Sequence, residues 1–222
     1  MIRAVIFDFD GVILESSDIK TTALGRLFET EYPDRVHEII EYHKNNMGIS
    51  RYVKFRYIYE SILEKHLSGD EEKRLGEKFS SLVLDEVLSA PLVDGVERFL
   101  KKNLGRYAMF VASGTPDEEL KFIVKKRGLD GYFLEVHGSP TEKAQIIEEI
   151  LSRNKWMPSE VVFIGDAQSD MKAAAAAGVH FVARVLDPHG GVFSKCRHRI
   201  RDFKGFENPQ ELITGNSLYG SV

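Results

Sequence analysis

Ile2-Arg3-Ala4-Val5-Ile6-Phe7-Asp8-Phe9-Asp10-Gly11-Val12 is the stretch whose reading decides the fold. Ile2 to Phe7 are mostly apolar, with β-branched residues on both faces, which predicts a strand covered on both sides rather than one at the surface. Side chains alternate along a strand, so Asp8 and Asp10 point one way and Phe7 and Phe9 the other. Two carboxylates at the mouth of a hydrophobic strand repel each other and resist desolvation. A bound cation, or chemistry that consumes the negative charge, is the usual compensation. By itself the stretch reads equally well as a turn at Asp10-Gly11 with Asp8 a solvated strand end, so the rest of the chain decides.

Working outward, the pattern from about Ile19 to Leu88 is helical. Thr22–Phe28, Val36–His43, Tyr52–Leu67 and Glu72–Leu88 carry apolar residues at three- and four-residue spacing, with breaks near Pro33, Gly48 and Gly69. An all-helical block of ~70 residues between strands exceeds an ordinary crossover connection. It predicts an inserted helical cap subdomain of residues 15–88 on a core of residues 1–14 and 89–222.

Ala90–Gly95 reads as the return linker. Beyond it, helical patterns at Val96–Asn103, Pro116–Arg127, Pro140–Arg153 and the Ala-rich run ending at Gly178 alternate with strand patterns. The strands are expected at Tyr107–Ala112, Phe133–Val136, Val161–Gly165 and His180–Val185. Such alternation predicts an α/β fold: a Rossmann-like parallel sheet with helices on both faces. These sheets carry their sites at the carboxyl ends of the strands, where Asp8, Ser113 and Asp166 fall. Asp187-Pro188-His189-Gly190-Gly191 reads as a turn-rich loop near the sheet mouth, and Gly215–Val222 as a frayed tail.

The totals narrow the classes. Of 222 residues, 30 are Lys or Arg and 34 Asp or Glu, a net charge of −4 without a long basic run. That balance argues against a nucleic-acid partner. The single cysteine, Cys196, excludes an internal disulfide framework and fits a reducing compartment. A first strand from Ile2 leaves no room for a leader ahead of it, and no apolar run approaches the ~18 residues of a membrane span. A soluble, cytoplasmic protein without a membrane partner is expected, with monomer and homodimer both open.

Three further segments carry chemistry. In Ser113-Gly114-Thr115-Pro116-Asp117-Glu118, Thr115 with Glu118 reads as a capping box and Pro116 suits a first helical position. Backbone donors there, beside the Ser113 hydroxyl, would form an anion pocket; in isolation the segment reads as an ordinary capped helix. Ser139-Pro140-Thr141-Glu142 repeats the device, and Lys143 follows in the first turn, where a cation opposes the helix dipole. An anion held at the sheet mouth would account for that placement; in isolation the residue reads as an exposed lysine. Gly165-Asp166-Ala167-Gln168-Ser169-Asp170 gives a second acidic strand end. With Asp8 and Asp10 it offers oxygen-only ligation suited to magnesium. An EF-hand is excluded, because counting from Asp8 the sixth position is Ile13 and the twelfth Ile19. The seven histidines lack zinc-ligand spacing.

Together, Asp8-Phe9-Asp10-Gly11-Val12, Ser113, Lys143 and Gly165-Asp166 through Asp170 resemble the haloacid dehalogenase superfamily of phosphohydrolases. Gly11-Val12 and Glu15-Ser16 are similar to its phosphoglycolate phosphatase and β-phosphoglucomutase subgroup. The resemblance implies Asp8 as nucleophile forming an aspartyl-phosphate, and Asp10 as acid and then base. It implies Ser113, Gly114 and Lys143 on the phosphoryl oxygens, and Mg2+ held by Asp8, the Asp10 carbonyl and Asp166. Asp170 either joins the ligands or stands behind them. Asp10 argues against a dehalogenase, and against a phosphonate hydrolase working through a cap lysine, a role not assigned to Lys20 or Lys54. Lys20 stands where the mutases carry a histidine, which weakens that reading. Arg51 is the cap residue placed to reach substrate, whereas Tyr52, Phe55, Tyr59 and Ile62 read as the cap's own core and Arg56 as solvated.

The expected activity is therefore a Mg2+-dependent phosphatase acting on a small phosphorylated metabolite, sugar phosphates among the candidates. The alternatives are a sugar phosphomutase and, in another class, a non-catalytic scaffold that binds phospho-ligands.

Overall fold

All four residues of β1 (Ala4–Phe7) are buried, as a strand with apolar residues on both faces requires. The computed structural model describes residues 1–186 and 191–214. In it β1 lies between two parallel neighbours, β2 (Ala108–Pro116) and β4 (Val161–Gly165). With β3 (Glu135–Ser139), β5 (His180–Arg184) and β6 (Arg199–Ile200) they form one parallel sheet, ordered β3-β2-β1-β4-β5-β6. The strand order reverses at β1, so the crevice beyond its carboxyl end is the place such sheets use for ligands.

Alternation along β1 sorts its side chains between two layers. Val5 and Phe7 join a core with Phe99 and Leu120, contributed by α5 (Val96–Asn103) and α6 (Asp117–Lys126). Ala4 and Ile6 face the opposite layer, where α7 (Lys143–Asn154) supplies Ile146 and Ile150 and α8 (Gln168–Ala177) supplies Ala173, Ala174 and Ala177. Phe7 packs edge-on against Phe99 and Phe133, with centroids 6.3 and 6.0 Å away.

Four helices separate β1 from α5: α1 (Ser17–Phe28), α2 (Val36–Asn45), α3 (Arg51–Tyr57) and α4 (Gly69–Ser89). Their shared core is aromatic, with Phe55 touching Phe28 and Phe79, and Tyr59 touching Phe28. That places the expected apolar face inward, while Arg56 lies exposed and pairs with Glu72. Ser68 caps α4 by accepting from the Glu71 amide at 3.3 Å.

The expected Tyr52–Leu67 helix is shorter. After α3 a π turn, Ile58–Ile62, widens the coil, and Glu64 at φ 53° reverses the chain. β2 is longer than expected, because beyond Ala112 the ladder shifts register and Pro116 pairs with Ser139. Unanticipated elements are β6 and a short helix α9 (Pro209–Thr214). Residues 187–190 of the turn-rich loop and the tail from 215 onward lie outside the described residues. No helix among the described residues is long and apolar enough to cross a membrane.

Candidate active site

Beyond Phe7 the chain leaves the sheet in a tight turn. The Phe9 carbonyl accepts from the Ile13 and Leu14 amides at 2.9 and 3.1 Å, and Gly11 donates to the Leu14 carbonyl at 2.7 Å. Gly11 has φ +75°, and a Cβ there would lie 2.0 Å from Asp166 Oδ2. Only glycine lets the first acidic strand end approach the second this closely.

Lys143 opens α7 and is buried between two carboxylates, its Nζ 3.0 Å from Asp8 Oδ2 and 2.6 Å from Asp170 Oδ1. The other Asp170 oxygen accepts from the Asp166 and Ala167 amides at 3.2 and 3.0 Å, closing the first turn of α8. Ser17, from α1, donates to Asp166 Oδ2 at 3.1 Å.

Burial raises the Asp8 carboxyl well above its ordinary value, and Asp170, Asp166 and Asp10 add to the rise against the opposing Lys143. Burial and Asp170 push Asp166 up to about 7, opposed by Lys143 and by the Ser17 bond. Lys143 shifts upward because Asp170 and Asp8 outweigh the burial that would lower it.

Asp8, Asp166 and Asp170 each offer a carboxylate oxygen within a group spanning no more than 4.8 Å. Three clustered carboxylates facing one lysine leave surplus negative charge, and an all-oxygen donor set fits a hard divalent cation.

The Asp10 carboxylate is held apart from that group. Its Oδ1 accepts from Ser16 at 2.6 Å, and its Oδ2 accepts from Thr115 at 2.9 Å and pairs with Lys20. Lys20 also donates to Thr115 Oγ1 at 2.6 Å. Burial alone would raise Asp10, but Lys20, Ser16 and Thr115 overcome it and hold the group below its ordinary value.

Both expected capping boxes are absent. The helix after Ser113 begins at Asp117 without a side-chain cap, because Thr115 is still extended and its hydroxyl serves Asp10. α7 likewise starts at Lys143, with Glu142 rather than Ser139 preceding it, and Ser139 Oγ is buried without a partner.

The loop between α2 and α3 sits on this strand end. Ser169 donates to the Met47 carbonyl at 2.9 Å. A Cβ on Gly114 would lie 2.5 Å from the Gly48 carbonyl, and one on Gly48 would lie 2.3 Å from Ser169 Oγ and 3.3 Å from Lys143 Nζ. Ser113 is buried below, its Oγ accepting from the Thr115 amide at 3.2 Å.

A cavity of about 60 Å3 remains, lined by Asp8, Asp10, Ser113, Gly114 and Asp166 from the sheet and by Lys20, His43, Arg51 and Lys54 from the helices. Arg51 thus reaches the expected place. Its guanidinium, however, forks onto Glu119 of α6 at 2.9 and 2.5 Å, donates to Ser80 at 2.7 Å and lies 4.6 Å from the Phe79 ring centre.

Lys20, Thr115, His43 and Lys54 line the cavity without having been read as site residues. For Lys54 a signal was available: it lies three positions after Arg51, on the same helix face.

Residues 5–184 match the haloacid dehalogenase-like hydrolase family. The chain belongs to that family. The haloacid dehalogenase-like match runs from β1 to the last residue of β5 and so takes in every residue of the cavity. A relative from Thermotoga maritima, a phosphorylated carbohydrates phosphatase, is 25% identical over 83% of this chain and 85% of that protein. The phosphoglycolate phosphatase of Synechococcus elongatus is 24% identical over 82% of each. In fold, the chain is similar to the β-phosphoglucomutase of Clostridium difficile at TM-score 0.74 and 22% identity, over 96% of this chain and 97% of that one.

Proposed function

We propose that this protein is a phosphatase of small phosphorylated metabolites, with Asp8 as the nucleophile. The carrying observation is the separation of two neighbouring aspartates. Asp8 belongs to a carboxylate group that faces Lys143, while Asp10 has its own partners in Lys20, Ser16 and Thr115. Two acids in different surroundings can take different roles.

In this reading an Asp8 oxygen attacks phosphorus, the ester P–O bond breaks, and the leaving oxygen takes a proton from Asp10. A water then loses a proton to Asp10, attacks the aspartyl-phosphate, and releases phosphate with Asp8 restored. Asp10 rests below its ordinary pKa as a carboxylate, and an arriving phosphate anion beside it raises its affinity for the proton it must donate. Lys143 and the strand end at Ser113-Gly114 take the phosphoryl oxygens, and Lys143 offsets repulsion between Asp8 and the substrate.

Mg2+ is the fitting metal, which Asp8 and Asp166 would hold with the Asp10 carbonyl. Bound there, it would neutralise phosphoryl charge. Asp170, with both oxygens engaged by Lys143 and backbone amides, steadies the group from behind. Residues 15–88 act as the cap, closing over the ester and excluding water from the first step. The phosphatase names of the two sequence relatives support water, rather than a second hydroxyl, as the final acceptor.

The test is phosphate release from a panel of phosphate esters, with Mg2+ and with EDTA, for wild type and Asp8→Asn. Metal-dependent release lost in the variant is expected. Isomerisation of a sugar phosphate without net release would favour the mutase.

A further inference from the structure

The cations in and beside the cavity are not equally occupied. Lys143 lies against Asp8 and Asp170, Lys20 against Asp10, and Arg51 against Glu119. Lys54 differs. It lines the cavity and is 6% exposed, yet forms no ion pair among the described residues. Among the described residues its ammonium has one hydrogen-bond partner, the ring of His43, with Nζ 3.1 Å from Nδ1.

The imidazole is committed on its other side as well, with Nε2 3.1 Å from Thr21 Oγ1, and the Thr21 hydroxyl donates onward to the Ser17 carbonyl at 3.2 Å. An ammonium at Lys54 donating to Nδ1 therefore fixes His43 as the neutral Nε2–H tautomer. Two ammonium N–H groups are left over. A buried cation held only by a neutral ring is poorly compensated, so the amine either sheds its proton or gains an anionic ligand.

Burial, with Lys20 and Lys143 adding repulsion and Asp10 opposing, pulls the Lys54 amine down to about 7, and burial beside Lys54 pulls His43 down to about 3. Both shifts come first from burial and then from the neighbouring cations.

We propose that Lys54 determines substrate specificity by binding a second anionic group, carried on the alcohol portion of the phosphate ester. His43 is the positioning residue that aims it. The inference rests on the phosphatase reading for the first anion, the reacting phosphoryl group beside Asp8. It adds that the substrate is short and doubly charged: one anion at the sheet mouth, the other against α3. Asp8 and Lys54 line the same cavity, so both face what enters it. The second anion is a carboxylate or another phosphate, since both accept from an ammonium.

Three two-carbon esters separate these cases: ethyl phosphate, phosphoglycolate and ethane-1,2-diol bisphosphate. For wild type, kcat/KM for at least one charged ester is expected to exceed that for ethyl phosphate by ~10-fold or more, the range for a buried charge-assisted contact. Whichever charged ester leads identifies the anion. Lys54→Met is expected to bring the ratio of charged to uncharged ester close to one, chiefly through KM. Lys54→Arg, which keeps the charge, is expected to retain part of it.

A lysine that merely supports the fold would lower all three esters together and leave the ratio intact. Wild type showing no preference for either charged ester overturns the inference while the phosphatase reading stands. So does Lys54→Met keeping the preference. If no ester releases phosphate in the wider panel either, the phosphatase reading fails first. Should Lys54→Met not fold, the wild-type ratios and Lys54→Gln decide by the same criteria.

Discussion

The Lys143 ammonium lies 3.0 Å from the Asp8 carboxylate, with both side chains almost fully buried. The same nitrogen reaches Asp170 at 2.6 Å, so one cation separates two interior anions. Removing one partner of such a group leaves uncompensated buried charge, which typically costs about 3–5 kcal/mol. Lys143→Met is expected to lower stability by about that amount in metal-free buffer. Without the lysine, the already raised Asp8 rises further, so the folded state gains protons as pH falls and the deficit shrinks toward acid. Urea melts of both proteins at several pH values measure this, and a pH-independent difference would contradict it.

Metal affinity is expected to run through Asp166. Wild type should gain stability on adding Mg2+, by about 2.7 kcal/mol at a hundredfold excess over Kd. Asp166→Asn should show little gain, and the thermal midpoint with and without Mg2+ reads the difference. Equal shifts in the two proteins would place the cation elsewhere.

The seam between the α2–α3 loop and the sheet depends on two bare backbones. A Cβ on Gly114 would lie 2.5 Å from the Gly48 carbonyl, and Gly48 itself has φ +77°. Gly114→Val is expected to hold the loop away from Ser113 and Lys143, raising KM, lowering kcat more than tenfold and lowering the thermal midpoint, because the atoms it meets are backbone. Unchanged kinetics would show that the loop need not seat as it does here.

Much of this arrangement was legible in the chain. Asp8 and Asp166 sit at strand ends that periodicity alone locates, Lys143 opens a helix that was expected to begin at Pro140, and the apolar face of Phe55, Tyr59 and Ile62 packs inward as spacing required. Thr115 was misread because its spacing to Glu118 satisfies a local rule. The competing partner, Asp10, lies 105 residues away and is visible only once β1 and β2 pair. His43 and Lys54 escaped for a related reason: each lies on an amphipathic helix where a polar residue usually means solvent. Their burial depends on how α2 and α3 pack over the sheet.

Arg51 and Glu119 join α3 to α6 through a buried fork. A double-mutant cycle with Arg51→Met and Glu119→Gln is expected to return a coupling of about 1.5 kcal/mol or more, as close interior charge pairs do. Additive stability changes would mean that the pair contributes nothing to holding the helices on the core.

His43 should impose a pH dependence of its own. Its folded value of about 3 lies below the ordinary 6.5, under the influence of burial and of Lys54, Lys20 and Lys44. Above 6.5 both states are neutral there. As pH falls toward 3 only the unfolded chain takes the proton, and stability is lost by up to ~1.4 kcal/mol per pH unit. His43→Gln is expected to flatten the wild-type slope in that window, and parallel slopes would contradict the assignment.

The central claim is that Asp8 carries the phosphoryl group. Acid quenching during turnover of a good ester, followed by mass spectrometry of the peptide bearing Asp8, tests it directly. A phosphate-sized mass increase on Asp8, removed by hydroxylamine and absent from Asp8→Asn, is the predicted result. Sustained turnover by Asp8→Asn, with no modified peptide from the wild type, would contradict it.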